Sequence, residues 1–246
     1  MKITYIEHSG FLLEMAEADF LFDYYRGEIP QREKEKPLVV FVSHKHHDHY
    51  NPEIFELIKS YPNTQYVLSK DVPIKRELKR YQEQGISLEE AIIVAAKNER
   101  KVIRLPDGTE LKAETLKSTD EGVAFLLEYE GKTIYHAGDL NLWVWEEESR
   151  SYNENMKRAY FTQLEKLKGR EIDLAFVPLD PRQEKDAFGG MESFLAYTRS
   201  RCVFPMHFWG TYPIIGEFLA RHPEYEGTVR RIAYTGQQFE EQENDR

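Results

Sequence analysis

Four of the chain's eight histidines fall within one hexapeptide, His44-Lys45-His46-His47-Asp48-His49, which contains the pattern H-x-H-x-D-H. Imidazole nitrogen and carboxylate oxygen are donors that zinc, iron and manganese accept from a protein. The spacing has a mechanical sense. Alternate residues at the end of a strand point the same way, so His44 and His46 can grip one ion together. A turn after them lets Asp48 and His49 address a second ion beside it. A site without a full protein shell leaves a position for water, and a cation that acidifies that water is a hydrolytic device. The plainer alternative is an exposed polar turn with incidental histidines, which the local context has to exclude.

That context is a strand-to-helix turn. Leu38-Val39-Val40-Phe41-Val42-Ser43 is a continuous apolar run after Pro37, the pattern of a strand buried on both faces. Asn51-Pro52 supplies an N-cap and a first-turn proline for a helix through about Ser60, with Ile54, Leu57 and Ile58 on one face. Upstream, the β-formers at 3–6, 11–13 and 20–22, with turns at Ser9-Gly10 and around Ala18-Asp19, predict an antiparallel meander. Downstream come a strand at 65–68, a polar helix at 74–84, and short strands from Ile92 to Tyr135. Pro106-Asp107-Gly108 and Glu130-Gly131-Lys132 supply their turns. A helix at about 153–168 carries the stripe Met156, Tyr160, Leu164 and Leu167. Strand and helix then alternate: strand 174–177 with a helix near 191–198, strand 203–204 with a helix near 214–220, and a closing strand at 229–234. No linker or composition break appears, so the expectation is one α/β domain over 1–246, two sheets covered by helices.

Composition narrows the function. With 43 acidic against 33 basic side chains in 246 residues, the formal charge is −10, which disfavours a nucleic-acid binder. A chain 41% hydrophobic and 13% aromatic has the material for a core and is not a disordered acidic tail. The single cysteine, Cys202, removes intramolecular disulfides and cysteine-built zinc sites, so a metal must sit on His, Asp or Glu. Glu7, Glu14 and Glu17 interrupt the opening segment before it reaches a signal-peptide core, and no later stretch is long enough to span a bilayer. The expectation is a soluble, cytoplasmic protein with no membrane or nucleic-acid partner.

Further motifs carry a resemblance. Glu7-His8-Ser9-Gly10-Phe11-Leu12-Leu13, Phe22-Asp23, Ser43 to His49, Ile134-Tyr135-His136-Ala137-Gly138-Asp139 and the histidine of Pro205-Met206-His207 together resemble the metallo-β-lactamase superfamily. The general look is of the branch that includes L-ascorbate-6-phosphate lactonase and N-acylphosphatidylethanolamine phospholipase D. The resemblance implies a four-layer αββα sandwich with a binuclear metal centre in a cleft at one edge of its sheets. It further implies that His44 and His46 bind the first ion, that Asp48, His49 and His207 bind the second, and that Asp139 bridges them. Two divalent ions are expected, zinc foremost, with manganese or iron as alternatives.

One departure stands out: the family's third histidine for the first ion has no counterpart, because no histidine occurs from Tyr50 to Tyr135. Asp120 can supply an oxygen ligand instead, or Ser118 can approach through water, either of which favours harder cations. Alternatively Asp120-Glu121-Gly122 is only a turn, and a degenerate first site leaves one ion. His8 and His136 match branch positions outside the ligand set, with roles beside the ligands, toward substrate, or in core packing. His47 is expected to face away, and His222 to sit at a helix C-terminus without function. Arg182 is a candidate clamp for a substrate carboxylate or phosphate, while Lys185 reads as a solvated charge. Trp143, Trp145 and Trp209 can wall a pocket, fill core or form a subunit contact.

The function expected is a metal-dependent hydrolase that uses a metal-bound hydroxide to cleave an ester, lactone, amide or phosphodiester bond of a small substrate, anionic ones included. Asp48 would orient the hydroxide and shuttle its proton. Two other readings stay open: a non-catalytic metal-binding or sensor module, and an RNA-processing nuclease like ribonuclease Z. The second would need a basic surface that the charge does not offer. A homo-oligomer is compatible with the sequence.

Overall fold

The computed structural model describes residues 1–241. They form an α/β protein of two compact units: residues 1–96, 103–110 and the C-terminal segment from Thr235 in the first, 97–102 and 111–234 in the second.

The first unit is built on a seven-stranded sheet. Strands Lys2–Glu7, Gly10–Glu14 and Asp19–Phe22 make the expected antiparallel meander. Leu38–Val42, Thr64–Ser69 and Ile92–Ala95 then add in parallel. Every residue of Leu38–Val42 is buried, as a continuous apolar run in parallel pairing requires. One face packs Leu12, Leu21, Val40, Tyr66 and Leu68 against Ile54, Phe55 and Tyr81. A bulge between Tyr5 and Glu7 disturbs the first hairpin. There His8 takes a left-handed φ of 57°, a conformation rare for a non-glycine residue and characteristic of functional sites.

The second unit is built on a six-stranded sheet. Glu110–Lys117, Val123–Tyr129 and Lys132–His136 pair antiparallel, and Leu174–Pro178 and Val203–Met206 extend the sheet in parallel. Glu130 and Gly131 both have positive φ, 47° and 70°, the requirement of the tight turn that joins Val123–Tyr129 to Lys132–His136. Helix Arg150–Leu164 begins at Ser149, whose hydroxyl accepts the N–H of Tyr152. Helices Gly189–Tyr197 and Pro213–Arg221 bury Met191, Phe194, Ile214 and Phe218, with Phe194 stacked on Tyr135 at 5.1 Å. No helix among the described residues is long and apolar enough to cross a membrane.

Two expectations about elements need correction. No strand forms at 229–234: Val229 makes one isolated bridge to Val203, and the strand Gln238–Glu240 instead pairs with Lys2–Thr4. Val229 and Ile232 are the buried residues of that segment, and their spacing of three is not the alternation of a half-buried strand. The helix opening at Asn51-Pro52 is a 3₁₀ turn, Pro52–Glu56, followed by the single α-turn Leu57–Ser60. Asn51 caps it as expected, but the hydroxyl of Tyr66 donates to the carbonyls of Ile54 and Phe55 at 3.2 and 3.4 Å, which competes with regular α-bonding.

Both units follow one rule of open α/β sheets, that chemistry gathers beyond the carboxyl ends of parallel strands. In the first, Asp23 follows Asp19–Phe22 and His44 follows Leu38–Val42. In the second, Asp139, Asp180 and His207 follow Lys132–His136, Leu174–Pro178 and Val203–Met206.

Candidate metal centre

In the first unit a buried carboxylate organises the histidine turn. Asp23 has no exposed side-chain surface and a φ of 38°. Its Oδ1 accepts the N–H of Ser43 at 2.7 Å, and its Oδ2 accepts the Ser43 hydroxyl at 2.6 Å and faces His49 Nδ1 at 2.7 Å. A carboxylate only accepts, so His49 carries its proton on Nδ1 and its lone pair on Nε2. Having donated its proton to Asp23, the Ser43 hydroxyl accepts from His44 Nδ1 at 2.9 Å. His44 therefore also turns a lone pair outward from Nε2. That atom stands 3.1 Å from His46 Nδ1, close to the roughly 3.3 Å that two nitrogens keep on one tetrahedral zinc ion.

The chain then reverses, because the His46 carbonyl accepts the N–H groups of both His49 and Tyr50. Asp48 Oδ2 lies 3.3 Å from His8 Nε2 and 4.0 Å from His49 Nε2, and His8, Asp48 and His49 each offer a ligand atom within 4.8 Å of the others. Burial pushes the Asp48 carboxyl up, but the His8 hydrogen bond, the electrostatic influence of the His49 ring and its own backbone amide outweigh that and hold it well below the usual carboxylate range. The strained His8 backbone is steadied by its N–H, which donates to the Tyr5 hydroxyl at 2.9 Å. His47 points away, its side chain 92% exposed.

The second unit assembles its groups from separate loops. Asp139 lies behind Gly138, whose N–H donates to Nδ1 of fully buried His136 at 3.1 Å. Trp143 Nε1 donates to the Asp139 carbonyl at 2.9 Å. Thr119 stitches the segment at 118–120 to this loop: its hydroxyl donates to the Asn141 carbonyl at 2.6 Å and accepts the Asn141 N–H at 3.0 Å. Asp120 and Asp139 consequently offer carboxylate oxygens within 4.8 Å of each other. Ser118 uses its hydroxyl to accept the Asp120 N–H at 3.1 Å.

His207 has a φ of 64°, and its Nδ1 faces Asp180 Oδ2 at 2.9 Å. Burial raises the Asp180 carboxyl, but hydrogen bonds from His207 and Arg182 more than offset it and leave it below the usual range. Asp180 is thus an acceptor, His207 is protonated on Nδ1, and Nε2 presents its lone pair 3.4 Å from Asp139 Oδ1. Two electron-rich atoms in that position ask for a cation between them. Arg182, the candidate substrate clamp, is instead forked onto Asp180, with Nε 3.0 Å from both oxygens and Nη2 2.5 Å from Oδ2. Lys185 pairs with exposed Glu146 at 3.1 Å.

The donors fit divalent metal ions. His49 and His207 are each fixed in tautomer by a buried carboxylate at Nδ1, the arrangement that orients a metal-binding imidazole and raises its basicity. The donor set is nitrogen and oxygen without thiolate, which suits zinc, manganese and iron(II). Among the residues that do this fixing, Asp23 is marked in the sequence only by the resemblance, and Ser43 by the resemblance and by its place at the end of the apolar run. Asp180 belongs to no motif of the sequence. Its one local signal is an aspartate between a buried strand and a proline.

Comparison with known proteins agrees with this picture. Residues 2–151 match the model of the β-lactamase superfamily domain. A UPF0173 metal-dependent hydrolase of Opitutus terrae is 26% identical over 217 residues, 85% of this chain and 85% of its own. Among solved structures, a metallo hydrolase of the hyperthermophilic archaeon Ignicoccus hospitalis superimposes with a TM-score of 0.62 at 18% identity, over 98% of this chain and 99% of that one. CmlA, a diiron β-hydroxylase of Streptomyces venezuelae, superimposes with a TM-score of 0.63 at 11% identity, over 97% of this chain and 53% of that one. At these identities the solved structures share the fold.

Proposed function

Because the chain belongs to the metallo-β-lactamase superfamily, we propose that it is a metal-dependent hydrolase acting on an ester, lactone, amide or phosphodiester bond of a small cytoplasmic substrate. In this reading His44, His46, Asp48 and His49 of the first unit and Asp139 and His207 of the second are the ligand complement of two divalent ions, zinc foremost. Asp120 stands in for the histidine that the first ion lacks.

The observation that carries the reading is the facing of His207 Nε2 and Asp139 Oδ1 at 3.4 Å, with the imidazole locked by buried Asp180. The ions, when bound, supply Lewis acidity toward the scissile oxygen and a water acidified toward neutrality. The chain's own residues supply the rest. Asp48, aimed by His8, would accept a hydrogen bond from the attacking water, orient it and relay its proton onward. Asp23 and Asp180 keep His49 and His207 from rotating, so the geometry needs no rearrangement during reaction. The test is turnover of a panel of esters, lactones, amides and phosphodiesters by metal-replete protein. Hydrolysis abolished by a chelator and restored by zinc or manganese is expected. No turnover of any class by protein that retains its ions would overturn the catalytic reading and favour a metal-binding module.

A further inference from the structure

The chain has three tryptophans, and all of them lie on two loops of the second unit that carry proposed ligands. Trp143 and Trp145 are stacked parallel, 6.0 Å apart and 3° from coplanar. The Asn153 side chain holds Trp145 by both its N–H and its carbonyl. Trp143 lies 5.4 Å from the His207 ring, and Trp209 meets that ring edge-on at 5.7 Å. Trp209 is unusual on two further counts. Its φ is 52°, a strained value for a bulky residue, yet the residue is 43% exposed, so core burial does not explain the strain.

Arg182 explains how Trp209 is held. Its guanidinium lies over the indole, 4.6 Å from the ring centroid, while its edge is forked onto Asp180. The Asp180 carboxylate thereby braces two things at once, the His207 imidazole and, through Arg182, the exposed indole. This also removes the local positive charge. Drawing Arg182 off to a substrate anion would leave a buried carboxylate beside His207 with one partner fewer, a costly exchange. The arrangement is poorly suited to capturing an anion and well suited to presenting a rigid aromatic face.

We propose that Trp209, braced by Arg182, forms a subsite beside His207 that stacks an uncharged planar or apolar group of the substrate, with Arg182 as its positioning residue rather than an anion clamp. The proposal rests on the hydrolase reading for the identity of the ligand at that place, and it narrows the substrate class to compounds with such a group next to the scissile bond.

The test uses metal-binding hydroxamates that differ only in their tails. Calorimetry gives the affinity of metal-replete protein for acetohydroxamate, benzohydroxamate and 4-carboxybenzohydroxamate. In the wild type the phenyl tail is expected to improve affinity about 10-fold over acetohydroxamate, the effect of one stacked ring with its burial. The added carboxylate should give no further gain. The ratio of benzohydroxamate to acetohydroxamate affinity should fall to about 2-fold in Trp209→Ala, recover in Trp209→Phe, and fall partly in Arg182→Gln, as expected when an aromatic contact is lost or loosened. A carboxylate tail that binds 10-fold tighter than the plain phenyl, with the gain lost in Arg182→Gln, would make Arg182 an anion clamp and overturn the proposal. A ratio unchanged by Trp209→Ala would overturn it as well. If acetohydroxamate itself does not bind, the metal reading fails, and benzyl alcohol decides this one: a saturable change in tryptophan fluorescence that Trp209→Ala abolishes supports the subsite, and its absence overturns it.

Discussion

The histidine turn of the first unit and the loop ligands of the second use the same device with different economy. In each, a buried aspartate at the end of a strand locks Nδ1 of a histidine so that Nε2 faces outward. The Asp23 carboxylate accepts from Ser43 and His49 of the turn, and through Ser43 it sets a second imidazole, His44. Asp180 divides itself between His207 and Arg182. The first arrangement is devoted to ligand geometry. The second also fixes an aromatic wall, so it couples the proposed metal centre to what the substrate looks like.

Substitutions can break this comparison at graded cost. Asp139→Ala removes a proposed ligand to both ions, and its kcat/KM on a responsive ester should fall by more than the roughly 10–100-fold typical of losing a residue that only supports a ligand. Asp23→Asn should come next, near the ~100-fold end of that range for metal affinity measured by chelator competition, because two imidazoles lose their orientation. Asp180→Asn should stand near the ~10-fold end, since one imidazole is affected. If Asp180→Asn proves the costlier of the two for metal affinity, the division of labour between the units is wrong. Gly190→Ala tests the scaffold instead: an added Cβ would lie 1.8 Å from Asn141 Oδ1, in the loop that follows Asp139. Thermal unfolding should show a loss of about 1–3 kcal/mol, the usual cost of overpacking. His47→Ala, on an exposed side chain, should change stability by less than about 0.5 kcal/mol and leave metal content intact.

The two regions also differ in how far they can be read from sequence. His44, His46, Asp48 and His49 are local, so their spacing alone carried the chemistry, and the buried run Leu38–Val42 and the Asn51 cap located the turn that bears them. Asp139 and His207 were legible only through resemblance, because strands remote in sequence bring them to 3.4 Å. Asp180 had only a weak local signal, an aspartate between a buried strand and a proline, and its part in holding His207 appears only with the pairing of Leu174–Pro178 beside Val203–Met206. Arg182 is a different case: the sequence offers it as a candidate clamp, and its partner two residues away, Asp180, is seen only in the structure. The closing strand was misplaced for a similar reason. Gln238–Glu240 is polar and gains its strand character from pairing with Lys2–Thr4, not from its own composition.

The central claim, that both sets of ligands serve a two-ion hydrolase, is tested most directly by metal analysis of protein purified without added metal. Mass spectrometry should find two divalent ions per chain, whereas one ion or none would contradict the account.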